Sequence, residues 1–474
     1  ALVASNVSNV TFRNLAFTGG NTCAYLSGAR YLAIDSCVVG PGVSRYALMA
    51  TNASDHGLMR ASRIDRLDPV VHAFQYGGDA SGGNGQDCIA FQAASDWEIT
   101  GCVIADPGHS GINISGEVGP GRYSCRNFIH HNEFLMRKAD YGRAVDLQAD
   151  AVGYCSDNLI YANYIHNHSV RSQLLGDHNV FCYNIIDTTR HCPYEADAER
   201  GGGIGILDYL LCQNNGIYNN VITNCDGPAI TLVESESCHD NRIVNNICVN
   251  NGLVAGAKPG LQHVEFWSWG LYSQANNEIL NNVFYNANDP APVIYHNGPT
   301  GRHISVAALN ATASNGDVAA WNMSTNPMLA AGFRPLQASP VVNAGKDVGL
   351  SRDFAGDPIG APPNIGAFEK ASGTTTDLSA HPAPKLPASP SLEQNYPNPF
   401  NPTTTIGFVL ASAGHVALKV FNTLGQEVAT LVSQALPAGR YQRSWTAANL
   451  PSGLYFYRLQ TAASTFTRQM LLVK

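Results

Sequence analysis

Short β-branched runs broken by pairs of asparagines organise most of this chain. GIYNNVITN (216–224), RIVNNICVN (242–250) and EILNNVFYN (278–286) share one frame. An apolar residue stands two places before the first amide, and a second apolar residue follows four places after the first. The same frame, with small or polar residues in the amide places, aligns Phe12, Ile34, Ile99, Ile129, Ile160, Phe181, Ile217, Ile243 and Ile279. Val38, Val103, Tyr164, Ile185, Val221, Ile247 and Val283 fill the second column, which Glu133 interrupts. Each unit predicts two very short strands around a polar corner at Asn14, Ser36, Gly101, His131, Ala162, Tyr183, Asn219, Asn245 and Asn281. Asparagine suits such corners because it tolerates left-handed backbone and bonds the backbone of its own turn. Stacked amides also bond one another. Helical periodicity is missing from most of the chain. Apart from one gap of 65 residues between Ile34 and Ile99, the units recur at irregular steps of roughly 20–36 residues, the mark of a β-rich solenoid with loops of variable length.

The lines SNVTFRNLAFTGG (8–20) and SDWEITGCVIADPGHSGINI (95–114), with the asparagine-pair lines, resemble the pectate-lyase-like superfamily. The resemblance covers residues 1–370 and implies an all-β fold, a right-handed parallel β-helix. It says little about activity, since one fold hosts many functions. SPVVNAGKDVGLSRDFAGDPIGAPPNIGAFE (339–369) resembles the closing segment of secreted bacterial β-helix proteins. Its expected role is to cover the open edge of the last coil.

Residues 371–394 lose apolar periodicity and are rich in Ser, Thr, Ala and Pro, the composition of a partly extended linker. Alternating segments then predict a small antiparallel β-sandwich over 395–474. YPNPFNP, FNTLGQEV, LPSGLYFYRL and the final strand ending at Lys474 closely resemble the C-terminal sorting domain of type IX secretion. The resemblance implies export by a Bacteroidota-like bacterium, with the type IX machinery as partner of residues 395–474. The destination is the medium or the outer-membrane surface.

Charge sharpens this division. The formal net charge of −8 resolves into −12 over residues 1–372 and +4 over 373–474. An acidic body is a poor partner for a phosphate backbone, which argues against nucleic acid. No apolar run reaches the roughly 18–20 residues of a membrane-spanning helix. No signal peptide opens the numbering, which starts inside a strand-like stretch. Twelve cysteines occur, none in a C-x-x-C pair, so the usual zinc spacing is missing. Disulfides formed on export and plain burial of small apolar side chains both fit them.

A parallel β-helix offers one long face of stacked strands along which a polysaccharide or cell-surface glycan can lie. The segments CIAFQ (88–92), GINIS (111–115), AVDLQ (144–148), GIGIL (203–207), AITLV (229–233) and HVEFW (263–267) read as that face. Alternation turns Ala90, Asn113, Asp146, Gly205, Thr231 and Glu265 outward. Asp146 and Glu265 are therefore candidate catalytic carboxylates, with Arg143 beside the first and Glu199 in the polar loop 188–203. Trp267, Trp269, Arg190 and His191 are candidates for substrate binding. Hydrolysis needs two carboxylates roughly 5–10 Å apart. Elimination on a uronate needs a base and a cation, for which Arg143, Arg171, Arg190 and His191 are available, with carboxylates to hold Ca²⁺. Only Lys138, Lys258, Lys346 and Lys370 precede the linker, which weakens a lysine-base mechanism. An outward carboxylate is expected to contribute little to packing. Two function classes remain open. One is a polysaccharide lyase or glycoside hydrolase; the other is a non-catalytic adhesin, glycan binder or self-assembling fibre. Charged side chains converging in one groove favour the enzyme, and a flat amide-and-aliphatic face favours the structural protein.

Overall fold

The computed structural model describes residues 2–40, 43–65, 87–116, 119, 123–136, 142–149, 151–168, 170–190, 202–206, 211–233, 235–253, 264–269, 275–287, 293–297, 302–311, 316–330, 332–372, 391–392, 395, 400–410, 414–423, 425–436, 439–447, 450–461 and 464–473. They fall into two compact units, Ala1–His381 and Pro382–Lys474.

The first unit is a parallel β-helix. Its three long sheets hold 12, 11 and 10 strands, and most coils give one strand to each. One coil runs through Glu98–Thr100, Val103–Ala105 and Ser110–Gly116 before the next begins at Phe128–His130. The first apolar column is the interior stack. Ile99, Ile129, Ile160, Phe181, Ile217, Ile243 and Ile279 pair in register from coil to coil. None is more than 3% exposed. Met59 continues the stack towards Ile34.

The corners follow from backbone sterics. Asn14, Ser36, Gly101, His131, Ala162, Tyr183, Asn219, Asn245 and Asn281 all have positive φ, between 52° and 60°. The residue after each corner does different work. Asn132, Asn163, Asn184, Asn220, Asn246, Asn282 and Asn322 point inward, and each side-chain oxygen accepts from the residue one coil earlier. The asparagine pair is thus a turn-former followed by a ladder rung. A second ladder of Asn127, Asn158, Asn179, Asn215, Asn241 and Asn277 fills the corner ahead of the same strands. These fully buried amides satisfy backbone groups that the bends would otherwise strand.

One expectation is corrected. The second apolar column lies outside the 10-stranded sheet, where Ile185, Val221, Ile247 and Val283 are buried against Val341, Ile365 and Phe368. The segment 339–369 accordingly does not cover the last coil. It runs back along the flank, where Asn219, Asn245 and Asn281 donate to the carbonyls of Asn364, Lys346 and Ala344, and Tyr161 donates to that of Asp353. An exposed apolar stripe needs a cover, and this segment supplies it. The last coil is closed instead by the antiparallel strand Arg302–Ile304 and the helix Val306–Ala311, whose Asn310 receives the final rung of the ladder from Asn322.

The second unit is a sandwich of two antiparallel sheets. One contains Ser391–Leu392, Thr403–Leu410 and Gly439–Thr446; the other Gly414–Phe421, Glu427–Leu436, Gly453–Gln460 and Thr465–Leu472. Ile406, Phe408, Leu418, Trp445, Tyr457 and Met470 share its core. Among the described residues eleven cysteines are buried, which fits core packing.

Candidate active site

The 12-stranded sheet has the longest strands, and its outward column passes through Ala90, Asn113, Asp146, Gln173, Gly205, Thr231, Trp267 and Tyr295 in register. Ile112, Ile114, Val145 and Leu147 alternate with Asn113 and Asp146 and fill the interior. This alternation is what turns Asp146 outward from the strand Arg143–Ala149.

Outward here does not mean exposed: Asp146 is 0% exposed. Donors converge on its carboxylate. Gln173 Nε2 reaches Oδ1 and Gln148 Nε2 reaches Oδ2, both at 2.9 Å. Ser110 Oγ reaches Oδ2 and Arg143 Nη1 reaches Oδ1, both at 3.4 Å. Each of these four groups donates to the carboxylate oxygens. The expectation that Asp146 contributes little to packing is therefore corrected.

The pairing of Ser110 with Arg143 across neighbouring strands brings a further pair of groups to the same place. His109 Nδ1 lies 2.9 Å from Asp87 Oδ1 and 3.0 Å from Ser110 Oγ. Its Nε2 lies 3.7 Å from Asp146 Oδ2. An imidazole thus stands between two carboxylates, all three buried. Asp87 orients the ring through Nδ1 and leaves Nε2 directed towards Asp146. Such a unit can take up and release one proton at Nε2, and Arg143 supplies positive charge beside it. Asp87 and His109 escape a period-two reading because neither lies in a strand. Gln173 escapes because SQL is too short to show alternation.

Glu265 is not in the outward column; the strand is Phe266–Trp269, and Trp267 takes the place beside Thr231. Glu265 ends an amide ladder instead. Asn251 donates to it from its backbone N at 2.9 Å and from Nδ2 at 2.6 Å, and Asn286 Nδ2 donates at 3.0 Å. Burial outweighs these donors and pushes its carboxyl up to about 8. Trp267 is buried, while Trp269 is placed only by its backbone, in register with Val233 and Asn297. Arg190 is exposed and pairs with Asp226 at 3.4 Å. Glu199 and His191 lie outside the described residues. No group of three or more His, Cys, Asp or Glu side chains able to hold a metal ion occurs among the described residues. None of their helices is long and apolar enough to cross a membrane.

Among curated proteins the chain is similar to a lacto-N-biosidase of Bifidobacterium longum, 24% identical over 285 residues. The match covers 56% of this chain but only 16% of that protein. Among solved structures it is similar to an alginate lyase from Paenibacillus sp. (14% identity, TM-score 0.42, 62% of this chain and 91% of that one). It is also similar to the Dettilon tailspike protein (16% identity, TM-score 0.39, 54% of this chain and 44% of that one). The tail gives the family-level result: residues 394–474 match the secretion system C-terminal sorting domain, and the chain is a secreted or cell-surface protein.

Proposed function

We propose that this secreted protein cleaves glycosidic bonds in a polysaccharide, at the outward face of the 12-stranded sheet around Asp146. The carrying observation is the convergence of Asp87, His109, Asp146 and Arg143 on one face. A solenoid needs no such group to stack its coils, because the buried isoleucines and amide ladders already do that. Two ion pairs elsewhere on the coils, Arg60 with Asp35 and Arg126 with Asp96, each have one well-exposed partner. The likeness to a lacto-N-biosidase points towards glycan chemistry as well.

The residues divide the work as follows. His109 and Asp146 share the proton that must be taken from, or delivered to, the reacting atoms. Asp87 holds the imidazole in one orientation. Arg143 offsets negative charge that develops as the bond breaks. Elimination uses a base and a cation, both present here; hydrolysis needs a second carboxylate facing the scissile bond. The test is a panel of acidic and neutral polysaccharides, read for new reducing ends and for the absorbance of unsaturated uronates. Both signals rising together identify elimination, and reducing ends alone identify hydrolysis.

A further inference from the structure

The outward column has one gap, at Gly205, and a neighbouring side chain lies across it. Arg171 precedes the strand Ser172–Leu174 and stands two residues before Gln173, the residue that donates to Asp146. Gly205 is in register with Gln173 on one side and Thr231 on the other. A Cβ placed on Gly205 would lie 2.6 Å from both Cδ and Nε of Arg171. Such an approach is far inside van der Waals contact, so no residue but glycine leaves Arg171 where it is. Gly205 has no positive φ among the described backbone exceptions, so turn geometry does not call for glycine here. The glycine is explained by the side chain above it.

The next position in the column supplies a second, independent observation. Thr231 is 0% exposed, and its Oγ1 has no hydrogen-bond partner among the described residues. A buried hydroxyl left without a partner is unfavourable and rare in folded proteins. It is put right by a ligand atom that accepts or donates at that place. Arg171 itself is only 8% exposed, so its charge acts where water screens it little.

We infer that Arg171 and Thr231, over the floor made by Gly205, form a subsite for an anionic group on the glycan, a carboxylate or a sulfate ester. The assignment rests on reading this face as a glycan site. Gly205 lies two strands from Asp146, and strands stack about 4.8 Å apart, so the subsite serves a sugar unit beside the one that reacts. Arg171 binds the anion through its planar set of donors, and Thr231 donates its hydroxyl to the same group. Arg171 is a specificity residue in this scheme, and Gly205 positions it.

The test measures binding by calorimetry with three probes of equal length: oligogalacturonate, the same oligomer with its carboxyls reduced to neutral hexose, and a sulfated galactan oligomer. At low salt the full-length protein is expected to bind at least one anionic probe about 10-fold or more tighter than the neutral one. Which anionic probe binds separates carboxylate from sulfate. Arg171→Gln should remove the preference and leave neutral binding in place. Gly205→Ala should do the same without changing any charge, because the added methyl displaces Arg171. Thr231→Val should weaken anion binding by several-fold. Should Arg171→Gln fail to fold, as judged by its unfolding midpoint, Gly205→Ala and Thr231→Val decide the matter. Equal binding of neutral and anionic probes by the natural protein overturns the subsite, as does full preference in Gly205→Ala. Cleavage of glycans without anion preference sinks the subsite and spares the enzyme reading. Anion preference without cleavage of any glycan does the reverse.

Discussion

At the scale of single residues, Asp146 and Asp87 bear different loads. Asp146→Asn should lower turnover by about 100-fold or more, the lower end for losing a positioned acid or base. It should also lower stability by about 1–3 kcal/mol, because an amide NH₂ would face donors where an oxygen accepted them. Comparing kcat with chemical denaturation separates the two effects. Asp87→Asn keeps the shape but replaces the acceptor at His109 Nδ1 with an amide that can present a donor. Turnover should fall and the pH profile of kcat/KM should shift; a merely structural Asp87 would change neither in protein that remains folded. Glu265 makes stability depend on pH. Its carboxyl is raised from 4.5 to about 8, chiefly by burial. The folded state therefore binds a proton that the unfolded state has released. The resulting stability is full below about pH 4.5 and is lost as pH rises through about 8. Thermal unfolding across that window should show the decline, and Glu265→Gln should flatten it.

At the scale of elements, the amide ladders hold the corners and the apolar stacks hold the coils. Asn246 accepts from both nitrogens of Asn220 and donates to Ile217, Val244 and Asn282. Asn246→Ala strands several buried groups at once and should cost at least about 2 kcal/mol by denaturant titration. Ile243→Asp, which buries an unpaired charge in the interior stack, should cost about 3 kcal/mol or more. These elements were legible from residue order because the corners demand left-handed backbone, and asparagine meets that demand visibly. The second ladder carries an equally plain signal: Asn127, Asn158, Asn179, Asn215, Asn241 and Asn277 each stand five residues before a rung of the first. The candidate site was less legible. Asp146 follows from alternation, but HVEFW alternates as well as FWSW does, so alternation alone could not choose between Glu265 and Trp267. Asp87 and His109 sit at a bend, where side-chain direction depends on coil geometry rather than on a period. The strand Glu427–Leu436 is hard to read for a related reason: its polar and apolar residues do not alternate strictly along EVATLVSQAL.

At the scale of the whole molecule, the chain joins a β-helix that carries the candidate site to a sorting domain that carries the address. Each unit has its own apolar core. Deleting 391–474 is expected to leave the β-helix folded, with its unfolding midpoint unchanged, and to retain it in the periplasm of its host. Export of the truncated protein would show that the tail is not the address. The buried charged cluster on the 12-stranded sheet is proposed to break glycosidic bonds. The most direct test is the release of reducing ends from a panel of acidic and neutral polysaccharides by the natural protein and by Asp146→Asn at equal folded concentration. The natural protein is expected to turn over at least one polysaccharide, and the variant to lose about 100-fold or more of that rate. Equal rates for the two proteins, or no turnover of any polysaccharide by either, would contradict it.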